Sequence, residues 1–121
     1  MGLRIFEARM ATIKRSPEIR AILQNGKHIS TAQFKVVYLI RHGPPSRWAI
    51  LVGKRYGKAV ERNRIKRRWR EILRRVIPRL QVELDLLVMP RKTNERITFQ
   101  ILQKNIQRCC KKEGLLQDEQ A

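Results

Sequence analysis

Residues 58–78 have the sequence KAVERNRIKRRWREILRRVIP, and the architecture of the domain is predicted outward from this segment. Its apolar residues recur every three or four positions, which places them on one face of a helix. They are Ile65, Trp69, Ile72, Leu73 and Val76. Because Pro78 cannot continue the pattern, we predict a helix from about Lys58 to Val76 whose apolar face packs against the rest of the protein.

The opposite face of this predicted helix is strongly basic. At 100° per residue, Asn63, Arg67, Arg70 and Arg74 form one stripe. Residues 54–75 hold eleven Lys and Arg against two Glu, a net charge of +9 out of the +18 of the whole chain. Guanidinium groups held at fixed spacing on a rigid helix bind phosphate oxygens with little loss of ordering entropy. The pattern therefore predicts a cationic ridge that binds a shaped polyanion.

Two segments with strand character precede the helix. They are residues 33–41 and 47–53, and the Gly43-Pro44-Pro45-Ser46 break between them predicts an antiparallel hairpin. Residues 48–52 are apolar without alternation, as expected of a strand that is covered on both faces. We therefore expect the second strand to lie centrally in its sheet.

A short helix and a further strand and helix complete the predicted domain. Ser16-Pro17-Glu18 is a helix start, in which we expect the Ser16 hydroxyl to be the cap and Pro17 the first helical residue, and Gly26 is a helix end. Residues 84–89 form an apolar run ended by Pro90, and residues 98–112 return to helical spacing. The predicted order is αββαβα, in the α+β class. Strand, helix and strand in succession imply a parallel pair joined by a crossover, and hence a small mixed sheet.

The length of 121 residues fits one domain. Residues 1–12 lack a clear period, which indicates an extended or loosely held N-terminal arm. Residues 13–112 form the predicted domain. Residues 113–121 are expected to be a C-terminal tail that frays from Leu115 onward.

The composition favours a nucleic-acid partner. The chain is 42% hydrophobic, which argues against disorder, and it carries 28 Lys and Arg against 10 Asp and Glu. Such a charge is tolerated chiefly when a polyanion neutralises it, nucleic acid first and an acidic membrane surface second. No run approaches the roughly 18 apolar residues of a membrane span, and Arg4, Glu7 and Arg9 interrupt any signal-peptide core. We expect a cytoplasmic protein without a membrane partner.

Other classes of protein also carry a basic helix. A solvated basic face, a calmodulin target and a membrane-surface anchor all show such a charge run. The membrane interpretation is disfavoured because strand patterns flank the helix on both sides, so that its apolar face is committed to the domain core.

The aromatic side chains are interpreted as core residues rather than as platforms for base stacking. Strand alternation points Phe34 and Tyr38 to one face of the sheet, and Trp48 and Trp69 fall on apolar faces.

The sequence offers no catalytic constellation. The ten acids are scattered, and Glu83 and Asp85, the only close pair on a strand, are expected to face solvent. His28 and His42 lie beside turn residues, with no nucleophile or acid at a motif spacing. The two cysteines are neighbours and frame neither a disulfide scaffold nor a zinc site. We predict no catalytic residue, no metal site and no small-molecule substrate.

Residues 53–68, GKRYGKAVERNRIKRR, resemble the signature segment of the bacterial ribonuclease P protein, with Arg62-Asn63-Arg64-Ile65-Lys66-Arg67 as its core. The resemblance extends over roughly residues 12–112 and includes Gly26-Lys27 and the segment DLLVMPRK at residues 85–92. It implies a single-domain αββαβα sandwich similar to the second domain of a small-subunit ribosomal protein. The βαβ crossover of that fold is left-handed, against the usual right-handed rule.

The resemblance also implies a function. It indicates the RNA-binding subunit of ribonuclease P, an endoribonuclease whose RNA removes the 5′ leader from precursor tRNA, so that the implied partners are that catalytic RNA and precursor tRNA. The implied contacts to the catalytic RNA are Lys54, Arg55, Lys58, Arg62, Asn63, Arg64, Lys66, Arg67, Arg68 and Arg70. The protein alone binds no cofactor in this view, and the holoenzyme uses Mg²⁺ through RNA. The alternative is a general structured-RNA binder of the ribosomal type, without preference for precursor over mature tRNA.

A second implied surface is a cleft between the first helix and the sheet, which holds the single-stranded leader. Where the family often carries aromatic residues, this sequence has Ile19 and Leu23, and strand alternation places Lys35 and Val37 nearby. These four residues form the predicted leader-binding cleft, with apolar contact in place of base stacking.

Overall fold

The computed structural model of the chain describes residues 10–93 and 96–116. In chain order its elements are β1 (Met10–Thr12), α1 (Ser16–Asn25), β2 (Lys27–Ser30), β3 (Phe34–Ile40), β4 (Ser46–Ile50), α2 (Ala59–Val76), β5 (Leu84–Pro90) and α3 (Phe99–Lys112). Short 3-10 turns at Lys54–Tyr56 and Ile77–Arg79 precede and follow α2. None of the helices in the described part of the chain is long and apolar enough to cross a bilayer.

A mixed sheet with the strand order β1-β4-β5-β3-β2 forms the middle of the domain. The central strand is β5, which is parallel to β4 on one side and antiparallel to β3 on the other. Since α2 connects β4 to β5, the predicted parallel pair with a helical crossover is confirmed. The α+β class with a small mixed sheet is confirmed with it.

The predicted hairpin between residues 33–41 and 47–53 is wrong. β5 lies between β3 and β4 and bonds to both. Every residue from Leu84 to Val88 is buried, so β5 takes the central position that we expected for β4. β3 instead forms a hairpin with β2, which the sequence pattern missed because KHIS carries a single strongly apolar residue, Ile29.

One face of the sheet is covered by α2 and α3. The predicted apolar face of α2 is buried there, and Trp69 is completely enclosed, with 0% of its surface exposed. Its indole meets the Phe34 ring edge-on, with 5.0 Å between the ring centroids and 77° between the ring planes. Tyr38 joins the same core, and Trp48 is partly buried against it. The interpretation of these aromatic residues as core residues is confirmed.

The other face of the sheet carries α1. The helix begins at Ser16, which we expected to be its cap, and Ile22 packs into a second apolar cluster on the sheet. Gly26 follows the last helical residue, as predicted. A Cβ atom on Gly26 would lie 2.6 Å from the carbonyl oxygen of Ile22 and 2.8 Å from that of Tyr38. Only glycine lets the end of α1 approach β3 this closely.

Both ends of the described chain are more ordered than the sequence indicated. Of the predicted N-terminal arm, Met10–Thr12 pairs in parallel with β4, while residues 1–9 lie outside the described residues. Leu115 and Leu116 are buried, and a bridge joins Leu116 to Leu80. The expectation that the tail frays from Leu115 is therefore wrong for these two residues, whose apolar side chains complete the core under α3. Residues 117–121 lie outside the described residues.

Candidate nucleic-acid interface

The start of α2 is fixed by a carboxylate. The backbone N–H of Lys58 donates a hydrogen bond to Oε1 of Glu61 at 3.3 Å, which satisfies a free donor at the helix N-terminus. Gly57 has φ +154°, and a Cβ atom there would lie 2.8 Å from Oε1 of Glu61. Glycine thus leaves space for the capping carboxylate. The basic helix consequently begins at a defined point after the 3-10 turn that carries Lys54 and Arg55.

The cationic ridge of Asn63, Arg67, Arg70 and Arg74 is exposed along the outer face of α2. The ridge lies opposite Ile65 and Trp69, which anchor the helix to the sheet, as its helical period predicts. Among the other predicted RNA contacts, the exposed ones are Lys54, Arg55, Lys58 and Arg64, and the partly buried ones are Arg62, Lys66 and Arg68.

Two of the partly buried arginines also hold the helix in place. Nη1 of Arg62 donates to the carbonyl oxygen of Gly57 at 3.0 Å, and Nη1 of Arg68 donates to that of Ile97 at 2.9 Å. A guanidinium has five N–H donors, so each side chain keeps donors for an RNA phosphate. These contacts fix the two cations in space before any ligand binds, which lowers the entropy lost on binding.

The remaining cations extend the basic surface to both flanks of α2. Lys66 and Arg70 line a shallow cavity of about 270 Å³ beside the edge formed by Thr12 and Trp48. On the other flank lies a cavity of about 250 Å³ between α2 and the segment that leads into α3; we call it the basic pocket. Its walls include Tyr56, Arg64, Arg68, Trp69, Lys92 and Arg96. Sequence reasoning did not assign Lys92 and Arg96 to a site, because only the folded chain brings them beside α2.

Glu61 and Lys92, which both line this pocket, form an ion pair. The ammonium of Lys92 also lies over the Tyr56 ring, 5.3 Å from its centroid. The hydrogen bond from Lys92, together with that from the Lys58 backbone, holds the pKa of Glu61 below its usual range. Glu61 is therefore a carboxylate at neutral pH and accepts from both partners.

The predicted leader-binding cleft is only partly accessible. Ile19 and Leu23 of α1 are half-buried against the second apolar cluster, and Lys35 is half-buried on the neighbouring strand. Val37 is completely buried, with 0% of its surface exposed, so its assignment as a cleft residue is wrong. The physical reason is the close seating of α1 on β3 at Gly26, which covers this side chain.

Two residues that the sequence analysis missed belong to the same strip. Leu51 and Met89 are partly buried against the cluster that holds Ile19 and Leu23, and Met89 is the direct partner of Lys35 between β3 and β5. Directly opposite residues on neighbouring strands share a face of the sheet. We call Ile19, Leu23, Lys35, Leu51 and Met89 the α1 strip. Met89 could have been found by extending the strand alternation to β5, once the true pairing was known.

The expectation that Asp85 faces solvent is wrong. Asp85 is only 5% exposed and is held by the guanidinium groups of Arg47 and Arg41, while Glu83 accepts a hydrogen bond from the Ser46 hydroxyl at 2.8 Å. Burial alone would raise the pKa of Asp85, but the hydrogen bonds and charges of the two arginines outweigh it and lower that pKa. No group of three or more His, Cys, Asp or Glu within residues 10–93 and 96–116 is arranged to hold a metal ion.

Comparison with known protein families and sequences gives one consistent result. The family model described as "Ribonuclease P" matches residues 8–114. The chain is 36% identical over 96 residues to the ribonuclease P protein component of Finegoldia magna, covering 78% of this chain and 83% of the relative. It is 34% identical over 105 residues to that of Streptococcus pyogenes serotype M5, covering 87% of each chain.

Solved structures give the same result. The fold is similar to the RNase P protein from Thermotoga maritima, with a TM-score of 0.74 and 28% identity, covering 84% of this chain and 96% of that one. It is also similar to the Staphylococcus aureus RNase P protein, with a TM-score of 0.75 and 25% identity, covering 88% and 97%. Since the family model spans most of the sequence, including the basic helix and both flanking strands, the chain belongs to the family of ribonuclease P protein components.

Proposed function

We propose that the chain is the RNA-binding protein subunit of ribonuclease P, the endoribonuclease complex that removes the 5′ leader from precursor tRNA. One observation carries this proposal. The cationic ridge is exposed to solvent on a helix whose opposite face is fixed to the sheet by the buried Trp69. The family membership supports the same role and does not favour a general structured-RNA binder.

In this proposal the ridge and its two flanks bind the catalytic RNA. Lys54, Arg55 and Lys58 surround the N-terminus of α2, where free backbone N–H groups also attract phosphate. Arg67 and Arg70 continue the positive surface along the exposed face. Folded RNA presents phosphates at fixed positions, so a row of cations on a rigid helix matches it with little reorganisation. The chemistry of cleavage belongs to the RNA, and the protein positions it.

The leader of the precursor tRNA lies, in this proposal, along the α1 strip. The strip offers apolar side chains that are half-buried, together with the ammonium of Lys35 for a backbone phosphate. An extended, unpaired strand can place its base faces on such a surface, with weaker contact than an aromatic platform would provide. Contact with the leader would favour the precursor over the mature tRNA.

We further propose that magnesium ions reach the complex through RNA. Mg²⁺ keeps several waters and is commonly bound through phosphate oxygens with one or two carboxylates. The charged side chains of the cationic ridge are guanidinium groups, which have only donors and therefore bind phosphate and not a metal cation. The cytoplasm, where precursor tRNA is processed in bacteria, is the proposed location.

A cleavage assay tests the proposed function. A bacterial ribonuclease P RNA is given precursor tRNA at low magnesium concentration, where the RNA alone is slow, with and without the protein. We expect the protein to accelerate cleavage, and to do so more for a precursor with a long leader than for one with a leader of a single nucleotide. Tight binding of the RNA with no acceleration, or equal acceleration of both substrates, would favour the general RNA binder.

A further inference from the structure

The basic pocket has features that a phosphate-binding ridge does not need. It is concave, with a volume of about 250 Å³, several times the roughly 30 Å³ that one water molecule occupies in the liquid. A paired nucleotide, covered by its neighbours and its partner base, cannot enter a cavity of this kind. An unpaired nucleotide can turn its base out of the RNA strand and enter it.

The charge of the pocket is suited to the phosphate of such a nucleotide. Arg64 and Arg68 lie one helical turn apart on α2, and Lys92 and Arg96 face them from the segment before α3. Arg68 is already oriented by its hydrogen bond to the carbonyl oxygen of Ile97 at 2.9 Å. Glu61, which also lines the pocket, is paired with Lys92. The described walls therefore carry four cations against one carboxylate, which itself is already engaged.

The pocket is also lined by groups suited to a base. Tyr56 contributes an aromatic ring, and aromatic rings and guanidinium planes are the surfaces on which unpaired bases stack. Trp69 also lines the pocket, and its buried Nε1–H has no hydrogen-bond partner among the described residues. Because Trp69 is 0% exposed, the Tyr56 ring and the guanidinium planes are the surfaces on which a base can stack.

We propose that the basic pocket binds one unpaired nucleotide of the catalytic RNA. Arg64, Arg68 and Arg96 hold its phosphate, and its base lies in the pocket against Tyr56. This inference rests on the proposed function, because it deepens the contact between α2 and the catalytic RNA. It adds a site that reads a single flipped-out nucleotide to a surface that otherwise recognises only phosphates.

The test measures the chemical reactivity of every 2′-hydroxyl of the catalytic RNA. The RNA is saturated first with the wild-type protein and then, in separate experiments, with each variant. Arg96→Ala removes a pocket cation that is exposed and lies outside the cationic ridge. We expect one unpaired nucleotide, with its immediate neighbour at most, to become several-fold more reactive in the Arg96→Ala complex. The rest of the protein footprint should stay unchanged, and Arg96→Lys should restore part of the protection.

Arg108→Ala is the matched control, because Arg108 is an exposed arginine on α3 outside the walls of the pocket. It should give the wild-type pattern, and all three variants should unfold at the wild-type temperature. Two outcomes would overturn the pocket proposal and leave the proposed function standing. In one, Arg96→Ala leaves the wild-type footprint unchanged at every nucleotide; in the other, it weakens the footprint evenly at all nucleotides. The absence of any footprint for the wild-type protein would instead overturn the proposed function.

Discussion

The guanidinium of Arg47 lies against the carboxylate of Asp85 with two parallel hydrogen bonds, Nε to Oδ1 and Nη2 to Oδ2, both 2.8 Å long. The two residues are register partners on β4 and β5. Nη1 of Arg41 donates to Oδ1 of Asp85 at 3.1 Å, and Glu18 of α1 forms an ion pair with Arg47. One buried carboxylate thus ties the central strand to its neighbours and, through Arg47, to the helix on that face.

Replacing Arg47 with alanine should destabilise the protein strongly. The change leaves the buried Asp85 with Arg41 as its remaining partner and frees Glu18 from the sheet. Removal of one partner from a buried ion pair lowers the free energy of unfolding by about 3–5 kcal/mol. Because Arg41 still pairs with Asp85, we expect a loss at the lower end of this range. Urea unfolding measures it. Arg67→Ala, which removes an exposed arginine, should stay within about 0.5 kcal/mol of the wild type. Equal values for both variants would contradict a stabilising role of this network.

The same network predicts how stability responds to acid. The pKa of Asp85 is lower in the folded protein than in the unfolded chain, so its contribution is fully present above the unfolded value of about 3.9. It is lost as the pH falls through the folded value, because protonation removes the charge that Arg47 and Arg41 bind. We expect the free energy of unfolding to fall more steeply for the wild type than for Asp85→Asn between about pH 5 and pH 2. Parallel curves would show that Asp85 titrates normally.

Tyr38 should titrate far above its usual range. Burial, followed by its 2.7 Å hydrogen bond to Oε1 of Glu113 and the charge of that carboxylate, raises the pKa of Tyr38 to about 12. The group is raised, so its contribution to stability is present below the unfolded pKa of about 10 and is lost as the pH rises toward about 12. The titration is measured by tyrosinate absorbance, as the part of the wild-type signal that is absent from Tyr38→Phe. Glu113→Gln should lower its midpoint, and an unchanged midpoint would leave burial as the sole cause.

The exposed arginines of α2 should govern the salt dependence of RNA binding. Replacing Arg64 and Arg67 with alanine removes two exposed cations, which should weaken binding to the catalytic RNA and reduce the slope of log K against log salt by up to about two. Filter binding over a range of potassium concentrations measures the slope. The paired control is Arg108→Ala with Lys111→Ala on α3, which removes the same charge from another surface. If the control reduces the slope equally, the effect comes from the net charge of the protein and not from the position of these arginines on α2.

Periodicity predicted the helices and the exposed side of α2 correctly because both depend on neighbours in sequence. Ile65 and Trp69 mark the inner face, and the position of every other residue of that helix follows from them. Strand pairing depends on partners far away in the chain. Residues 33–41 and 47–53 look like a hairpin locally, but the more apolar β5 inserts between them. A pattern of neighbouring residues cannot show that a third strand, distant in sequence, will pair with both segments.

The parts of the site that the sequence missed have the same origin. Lys92 and Arg96 reach the basic pocket only because the segment after β5 folds against α2, and Val37 is covered because α1 rests on Gly26. We expected Asp85 to face solvent because its partners are distant in sequence: Arg47 lies on β4, and Arg41 follows the last residue of β3. Periodicity and charge located the basic helix, and the family resemblance indicated the α1 side of the sheet as a second surface. It could not give the depth at which each side chain lies.

The contact with the leader must be tested at side chains of the α1 strip that are not fully buried. Ile19→Ser with Leu23→Ser changes half-buried residues of the α1 strip, so we expect weaker preference for precursor over mature tRNA and nearly unchanged affinity for the catalytic RNA. Val37→Ser alters the buried core instead and should cost about 2 kcal/mol or more of folding free energy. Dissociation constants of the holoenzyme for the two tRNA forms, measured beside urea unfolding, separate the cases. If Val37→Ser folds normally and loses leader preference while the surface pair does not, the leader must enter beneath α1, and the strip is the wrong surface.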